Sequence, residues 1–473
     1  MDALLKIVQT INMYLSDYIL IILLVGVGLF YTIKTRFVQV RCFKEGMGEV
    51  FGNFSLNGGT QKGGMSSFQA LATAIAAQVG TGNIVGACGA ILIGGPGAIL
   101  WMWVIAFFGM ATIYAEAVLA QKTRIVNDDG TVSGGPVYYI KEAFKGKFGT
   151  FLAAFFAIAT ILALGFMGAM VQSNSIGSTF ATAFNVPSWA VGVVVALVSA
   201  FVFIGGAKRV ASWTEKLVPI MAGLYIIIGL IVIAIRIKYI PETFGMIFKY
   251  AFVPNAVIGG SIGYAIKSAI SQGAKRGLFS NEAGMGSTPH AHAMANVAEP
   301  HKQGVTAMVG VFIDTFIVLT ITALIVISTL YAGDGAIAVA SNQAIAAGTD
   351  VSAAIAELGI NKANMAQLAL GSIFGSNVGN ILIAICLLFF AFSTILSWNL
   401  FGKLNIEYLF GKKATVVYSV IAVIFVFLGS VMSNDLVWEL TDMFNQLMVL
   451  PNALALIALS AAVVSATKNI KKK

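Results

Sequence analysis

Apolar stretches long enough to cross a lipid bilayer recur along almost the whole chain, separated by short polar connections. A membrane-spanning helix needs about 20 predominantly apolar residues, and windows of that length predict about eleven spans. These spans lie near residues 16–34, 67–94, 97–121, 151–183, 188–205, 213–237, 255–297, 304–331, 373–401, 414–432 and 436–466. The pattern therefore predicts an all-α polytopic membrane protein.

The second predicted span is interrupted at its centre. The apolar run Phe68–Ile93 contains Gly80-Thr81-Gly82-Asn83, and glycine and β-branched residues are poor helix formers. Unwound backbone at membrane depth is tolerated only where it lines protein or a watery cavity. Half-helix ends at such a break expose N–H donors that suit an anion and C=O acceptors that suit a small cation. The alternative interpretation is a glycine-lined face for close helix packing.

A second interruption is predicted within the irregular span 255–297. The run Leu278–Gly286 is unsuited to a helix, and Pro289 follows shortly. Because Lys275 and Arg276 lower the hydropathy nearby, a cytoplasmic loop between two shorter helices is the competing interpretation. If 255–297 is one span, the two broken helices are the second and seventh of the eleven spans. They then cross the membrane in opposite directions. Paired interruptions in two opposed halves indicate an inverted-repeat transporter.

The distribution of basic residues predicts the orientation of the chain. Lys and Arg are concentrated in cytoplasmic segments of membrane proteins, and most of the 29 basic residues here fall in alternate connections and in the tail 467–473. The long segment 331–370 has Lys362 as its only basic residue and is expected outside. We therefore expect a multi-pass protein of the cell membrane with its N-terminus outside and its C-terminus in the cytoplasm.

The composition supports the membrane assignment. The 473 residues are 58% hydrophobic and 10% charged, and the mean hydropathy is +0.89, whereas soluble domains carry roughly 25% charged residues. The net charge of +9 comes from basic residues that flank the spans, so no nucleic-acid partner is predicted. Cys42, Cys88 and Cys386 are too far apart to indicate a disulfide or a cysteine metal site.

Several motifs resemble those of the alanine or glycine:cation symporter family, sodium:alanine symporters of the amino acid-polyamine-organocation superfamily. The most specific is 94–109, Gly-Gly-Pro-Gly-Ala-Ile-Leu-Trp-Met-Trp-Val-Ile-Ala-Phe-Phe-Gly, with leucine where phenylalanine is usual at position 100. Further matches are 80–84, 114–117, 133–136, 275–284, 314–315 and 392–398. Together they follow the family's order along nearly the whole chain.

This resemblance implies a leucine-transporter-type fold of five plus five inverted helices preceded by one extra helix. The expected divisions are an N-terminal helix and loop (1–66), a first repeat (67–240), a second repeat (241–466) and a basic cytoplasmic tail (467–473). The resemblance also implies sodium-driven uptake of small neutral amino acids such as alanine or glycine, with no cofactor other than the coupling sodium ion.

The predicted substrate site is centred on the first break. In the resemblance, the N–H groups of Thr81 and Gly82 face the substrate carboxylate at a helix N-terminus, which favours an anion. The Asn83 and Thr81 side chains would each add a hydrogen bond, although an interhelical bond is the alternative for Asn83. Four polar residues, 172–175, lie in an apolar span, and the buried amide of Gln172 needs a partner. Phe279 and Trp398 would wall the pocket; packing or lipid contact is their alternative.

The predicted sodium site lies beside the same break. Hard cations require several oxygen ligands, and the carbonyls of Ala76 and Val79 lie at the negative C-terminal end of the inner half-helix. The resemblance places the hydroxyls of Ser393 and Thr394 opposite them. The competing interpretation is that both hydroxyls bond to carbonyls of their own helix.

Three acids lie within predicted spans, where carboxylates are costly and suggest function. Glu116 and Glu282 are candidates to hold the second break together or relay protons, and Asp314 to support the cation path. Scaffold pairing with Lys275 or Arg276 explains them equally well. His290 and His292, two positions apart, are interpreted as structural.

Three other function classes compete with sodium symport. A proton-coupled amino-acid carrier would use one of the intramembrane acids. An ion channel would line a continuous pore with repeated rings, whereas the two breaks here are unlike. A membrane enzyme is not predicted: Gly411–Thr415 is not a P-loop, and Gly80, Gly82 and Gly86 have the wrong spacing for a dinucleotide fingerprint.

Overall fold

The computed structural model describes residues 2–52, 64–128, 130–253, 262–432 and 434–468. Within them the protein is almost entirely helical. The first helices are α1 (Asp2–Tyr14, Leu15–Leu20 and Ile21–Lys34 in succession), α2 (Val38–Arg41), α3 (Phe43–Gly52), α4 (Ser67–Gln78), α5 (Gly82–Gly94) and α6 (Ala98–Thr123). A small antiparallel hairpin, β1 (Ile125–Val126) and β2 (Val132–Ser133), follows α6.

The rest of the chain continues this pattern. Next come α7 (Pro136–Ala143), α8 (Gly146–Phe184), α9 (Ser188–Ile204), α10 (Gly206–Ile235), a short 3-10 turn (Ile237–Tyr239), α11 (Ile240–Tyr250), α12 (Ile262–Asn281) and α13 (Pro289–Ala293). The run 300–331, here α14, joins Pro300–Val311, Phe312–Leu319, Thr320–Val326 and Ile327–Tyr331. The last are α15 (Ala336–Ala347), α16 (Val351–Ala356), α17 (Met365–Phe374), α18 (Ser376–Phe410), α19 (Ala414–Val431), α20 (Asn434–Ala458) and α21 (Ser460–Lys468).

Eight helices of the described residues are long and apolar enough to cross a membrane, or nine if α4 and α5 count as one bent span. The chain is therefore a multi-pass membrane protein, as predicted. Two of the eleven predicted spans differ from the others: α9 is a shorter apolar helix, and α12 carries Lys267, Lys275 and Arg276. The outer helices expose apolar side chains, such as Leu197 on α9 and Ile227 on α10, as contact with lipid requires.

The first break has the predicted location to within two residues. Ser66 begins α4 with a capping box, in which its side chain accepts from the Gln69 N–H and the Gln69 side chain accepts from the Ser66 N–H. The helix ends at Gln78, and α5 begins at Gly82 with its axis turned by 45°. Gly82 and Asn83 thus belong to the first turn of α5 rather than to the break itself.

The second break begins later than predicted. Leu278–Asn281 remain helical as the end of α12, and the interruption starts at Glu282, which has a φ of 59°. Gly284 (φ 90°) and Gly286 (φ 83°) follow in the left-handed region, where only glycine fits without strain. Residues 276–295 are all buried. The interruption is therefore enclosed by the protein, and its assignment to a membrane span rather than to a cytoplasmic loop stays a prediction.

The two interrupted segments lie beside each other in opposite directions. At one end, Met65 just before α4 pairs with the strand-like residues after α13: its N–H donates to Met294 O, and its carbonyl accepts from Asn296 N–H, both at 2.8 Å. At the other end, a Cβ on Gly94 would lie 3.1 Å from Ala269 Cα near the start of α12. Each segment therefore passes the other with its break near the middle of the protein.

Candidate functional site

The four predicted cation ligands meet at the end of α4. Thr394 Oγ1, on α18, lies 2.8 Å from the Ala76 carbonyl oxygen and 3.5 Å from that of Val79. Ser393 Oγ lies 3.4 Å from Ala76 O, and all four residues are fully buried. Both hydroxyls are also within 3.0 Å of Phe390 O in their own helix. A hydroxyl that donates its single proton to Phe390 O keeps oxygen lone pairs that can bind a cation. The geometry therefore fits both interpretations, a pair of cation ligands and a pair of hydroxyls bonded to their own helix.

Gly80 allows α18 and α8 to approach the break closely. A Cβ at this position would lie 2.5 Å from Thr394 Oγ1 and 3.2 Å from Gln172 Oε1, closer than side chains tolerate. Gln172, on α8, accepts a hydrogen bond from the Thr81 N–H at 3.1 Å. The Thr81 hydroxyl is buried and has no hydrogen-bond partner among the residues that the structure describes. Two predicted substrate residues thus adjoin the predicted cation ligands.

Asn83 is bonded within the protein, and its direct contact with substrate stays a prediction. Its Nδ2 donates to Asp314 Oδ1 at 2.6 Å and to Asp314 O at 3.2 Å, and its Oδ1 accepts from Gly80 N–H at 3.0 Å. These contacts occupy the amide and fasten the break to α14. The alternative interpretation, an interhelical hydrogen bond, is the one that the structure contains.

Asp314 is the centre of a buried polar cluster. Besides the Asn83 amide, it accepts from Ser280 Oγ at 2.9 and 3.1 Å and from Thr315 Oγ1 at 2.8 Å. Ser280 lies near the end of α12, so Asp314 connects the two interrupted segments. Within the described residues, no basic side chain forms an ion pair with this carboxyl group. Scaffold pairing with Lys275 or Arg276 is therefore wrong for Asp314.

Phe279 and Trp398 form one aromatic contact beside the first turn of α5. Their rings meet edge to face with centroids 5.9 Å apart, and both side chains are buried. A Cβ on Gly82 would lie 3.0 Å from Phe279 Cδ1 and 3.1 Å from Ser280 Cα. Gly82 thus faces the predicted pocket walls, and neither aromatic ring faces lipid.

Glu282 and Glu116 hold the second break together. Glu282 accepts from Trp398 Nε1 at 2.5 Å with one oxygen and from the Ser287 hydroxyl with the other. Glu116, on α6, accepts from Gly284 N–H at 3.1 Å and from Asn452 Nδ2 at 2.6 Å. Neither acid pairs with Lys275 or Arg276, so the scaffold pairing considered for them is wrong.

The two basic residues share Asp442 on α20, which the sequence analysis did not single out, and Lys275 also lies 3.8 Å from Glu439 on the same helix. Arg276 contacts Asp442 through both terminal nitrogens, at 3.1 and 2.9 Å, and Lys275 Nζ lies 2.9 Å from Asp442 Oδ2. The Arg276 guanidinium also lies 4.8 Å from the ring centroid of Trp438, which packs against Phe279 at 5.0 Å. A buried ion pair therefore adjoins the aromatic wall. The only sequence signal for it is an acid within a predicted span.

His290 and His292 have separate protein partners, as expected of structural residues. His290 contacts Ser287 O through Nδ1 and the Asn405 amide through Nε2, at 2.6 and 2.8 Å. His292 Nδ1 lies 2.8 Å from Gln303 Nε2. The two rings therefore face different neighbours.

The chain resembles one family of membrane carriers over its full length. The sequence profile of the sodium:alanine symporter family matches residues 1–473. The sodium/alanine symporter AgcS of Methanococcus maripaludis is 39% identical, over 98% of this chain and 96% of that protein. A putative sodium/proton-dependent alanine carrier of Bacillus subtilis, YrbD, is 37% identical over 98% and 92%, and the same organism's probable sodium/glutamine symporter GlnT is 36% identical over 99% and 91%.

One solved structure provides a weaker comparison. The structure of a manganese transporter of Eremococcus coleocola aligns with this chain at a TM-score of 0.49 and 14% sequence identity. The alignment covers 85% of this chain and 78% of the transporter chain. This likeness adds nothing to the assignment from sequence.

Proposed function

The chain belongs to the sodium:alanine symporter family, and we propose that it takes up small neutral amino acids such as alanine or glycine together with Na⁺ by alternating access. The observation that carries the proposal is the convergence at one buried break of two carbonyls and two hydroxyls, Thr394 Oγ1 lying 2.8 Å from Ala76 O. Members of this family are symporters, so no catalytic residue is proposed.

The cation would bind between α4 and α18. The carbonyls of Ala76 and Val79 end a half-helix whose dipole is negative at that point, and the hydroxyls of Ser393 and Thr394 supply two further oxygens. When the hydroxyl protons turn toward Phe390 O, which lies within 3.0 Å of both groups, the lone pairs of both hydroxyl oxygens become available to a cation beside the Ala76 carbonyl. A hard cation such as Na⁺ suits this oxygen set.

The amino acid would bind on the other side of the break. Its carboxylate would accept from the N–H groups of Thr81 and Gly82 at the start of α5, where the helix dipole is positive. The Thr81 hydroxyl, which has no partner among the described residues, would add a donor. When substrate binds, Gln172 Oε1 would release the hydrogen bond from Thr81 N–H and accept one from the substrate amine instead. Phe279 and Trp398 would limit the length of the side chain.

Sodium and substrate would be coupled through the backbone between them. Val79 contributes a proposed cation ligand, and Thr81, two residues later, contributes a proposed carboxylate donor. A bound cation would fix the turn between α4 and α5 and so pre-organise the N–H groups. By linkage, each ligand would raise the affinity for the other by the same factor.

The proposed architecture is the inverted repeat expected from the resemblance, with repeats 67–240 and 241–466, an N-terminal unit 1–66 and a tail 467–473. The opposed directions of the two interrupted segments support it. The N-terminus would lie outside the cell membrane and the C-terminus in the cytoplasm, since that orientation places most basic connections inside.

A second candidate function is proton-coupled uptake, which Asp314 favours. This carboxyl group is completely buried and accepts a hydrogen bond from Asn83 at the first break, so its protonation would change the contact that connects the break to α14. The relative YrbD is named a putative sodium/proton-dependent carrier.

The experiment that separates the two candidates is uptake of labelled alanine into proteoliposomes. An inward sodium gradient at equal pH should drive accumulation, and an inward proton gradient without sodium should not. Asp314→Asn should reduce the rate without changing the requirement for sodium. Accumulation driven by the proton gradient alone, and lost in Asp314→Asn, would favour the proton-coupled carrier.

A further inference from the structure

A cysteine, a glutamate and a histidine meet at a place remote from the first break. Cys42 lies between α2 and α3, Glu45 lies in the first turn of α3, and His301 lies at the start of α14. One potential ligand atom from each residue lies within 4.8 Å of the other two. His301 Nε2 and Glu45 Oε2 are 3.3 Å apart. These are the three residue types that most often bind zinc in proteins.

A chain of side-chain contacts connects His301 to α6 and α21. The Thr467 hydroxyl lies 3.1 Å from Val463 O and 3.0 Å from Tyr114 OH, and Tyr114 OH lies 2.7 Å from His301 Nδ1. A metal ion on His301 Nε2 requires the ring proton on Nδ1, from which it can be donated to the Tyr114 oxygen. Metal-bound histidines commonly donate their second ring N–H in this way.

The free end of this histidine points at the other two residues. His301 is 2% exposed, and its buried Nε2 lies 3.3 Å from Glu45 Oε2 without forming a well-aligned hydrogen bond to any described residue. A metal ion between Nε2 and Glu45 Oε2 would bind both atoms directly. Cys42 is also buried, whereas the side chain of Glu45 is 39% exposed, so an ion can enter from the surface beside Glu45.

We propose that Cys42, Glu45 and His301 form a binding site for Zn²⁺. With metal–ligand distances of about 2.0 Å for nitrogen and oxygen, a tetrahedral site separates those two ligands by about 3.3 Å, which is the observed distance from His301 Nε2 to Glu45 Oε2. A thiolate and a carboxylate balance the charge of the ion. Water completes the fourth position on the exposed side.

The ion would join three parts of the fold that already pack together. A Cβ on Gly46 would lie 2.7 Å from Val305 O, so α3 lies directly against α14, and Tyr114 and Thr467 extend the contact to α6 and α21. The neighbouring basic groups have other partners: Arg41 donates to Thr35 O at 3.2 Å, and Lys302 lies 3.0 Å from Glu49. Because the ion binds only the folded protein, Zn²⁺ should raise the melting temperature.

The test uses the full-length protein purified in detergent. Zn²⁺ affinity is measured by competition with a chromophoric chelator, and Co²⁺ is added separately to detect a thiolate-to-metal absorption band in the near ultraviolet. The variants are Cys42→Ser and Glu45→Gln, with Cys386→Ser as the control, because Cys386 is a buried cysteine outside the cluster.

We expect one Zn²⁺ per chain, a cobalt–thiolate band, and a melting temperature that rises with Zn²⁺. Cys42→Ser should abolish the band and weaken Zn²⁺ binding about 100-fold, Glu45→Gln should weaken it about tenfold, and Cys386→Ser should behave as the wild type. Glu45 is partly exposed, so its variant should fold even if Cys42→Ser does not. Absence of Zn²⁺ binding to the wild type, or unchanged affinity in Glu45→Gln, would overturn the proposal and leave Glu45 and His301 as a simple ion pair.

Discussion

The side-chain amide of Asn83 donates to Asp314 Oδ1 at 2.6 Å, and both side chains are completely buried. The same amide accepts from Gly80 N–H through its oxygen. One residue thus satisfies an unwound backbone donor on α4–α5 and a carboxyl group on α14. The shape of the first break therefore depends on a helix more than 200 residues away in the sequence.

Asn83→Ala should disturb both the fold and the site. It leaves Gly80 N–H unsatisfied and removes the Asn83 hydrogen bond from Asp314, which keeps those from Ser280 and Thr315; a buried unsatisfied group costs about 1–3 kcal/mol. We expect a lower melting temperature and weaker alanine binding. Asn174→Ala is the matched control, because this buried amide donates to Gly429 O and Met432 O rather than to a residue of the break; it should lower stability and leave alanine affinity unchanged. Equal effects of the two variants on affinity would argue against a positioning role for Asn83.

Gly82→Ala tests the close approach of α5 to the aromatic wall. The added Cβ would lie 3.0 Å from Phe279 Cδ1 and 3.1 Å from Ser280 Cα, so the wall must shift by a few tenths of an ångström. Alanine binding, measured with labelled substrate on purified protein, should weaken about tenfold, which corresponds to ~1.4 kcal/mol. In Gly86→Ala the nearest atom would be 3.8 Å away, and affinity should hardly change. Normal binding by Gly82→Ala would remove this turn from the site.

Trp398→Ala should broaden the range of accepted side chains. If Phe279 and Trp398 form the pocket walls, removal of the Trp398 side chain admits substrates with longer side chains. Their binding free energy should improve by about 1 kcal/mol per added methylene. Inhibition of alanine uptake by a series from glycine to leucine measures this. Trp398→Phe is the control, since it keeps most of the wall and loses only the hydrogen bond to Glu282. An unchanged order of preference in Trp398→Ala would take this residue out of the pocket.

Asp442→Asn should destabilise the protein strongly. The substitution leaves Lys275 and Arg276 without their buried counter-charge, and removal of one partner from a buried ion pair costs about 3–5 kcal/mol. The exposed pair Lys145–Glu142 provides the control, because Glu142→Gln should change stability by less than about 1 kcal/mol. Thermal unfolding in detergent measures both. Equal melting temperatures would contradict the structural importance of the Asp442 contacts.

The sequence was sufficient for features with a local physical cause. Hydropathy located the long helices, and Gly80, Gly82 and Asn83 located the first break, because poor helix formers stand out in an apolar run. The resemblance groups Ala76, Val79, Ser393 and Thr394 as candidate ligands. Their place at the end of α4 agrees with that expectation, and their role as ligands stays a prediction.

Other features depend on contacts between distant helices. The partners of Asn83 and Arg276 are Asp314 and Asp442, and no periodicity within one helix indicates which acid faces which polar group. The second break was placed too early because Leu278–Asn281 are helical; the left-handed residues at Glu282, Gly284 and Gly286 mark the interruption. Of these three residues, only the two glycines are of a type that indicates a left-handed conformation from the sequence alone.

The central claim, that sodium binds beside the first break and thereby promotes amino-acid binding, is tested most directly by the sodium dependence of alanine affinity. Labelled alanine is titrated against the purified wild type at a series of Na⁺ concentrations, and against Ser393→Ala combined with Thr394→Ala. Thr160→Val is the control, because the buried Thr160 hydroxyl bonds only to Phe156 O in its own helix.

We predict that Na⁺ tightens alanine binding by the wild type and by Thr160→Val at least about fivefold, within the usual range of coupling energies. The double variant should require about tenfold more Na⁺ for the same effect, since two of the four proposed protein ligands are lost. Alanine affinity that does not depend on Na⁺ in the wild type, or a sodium dependence that is the same in the double variant, would contradict the account.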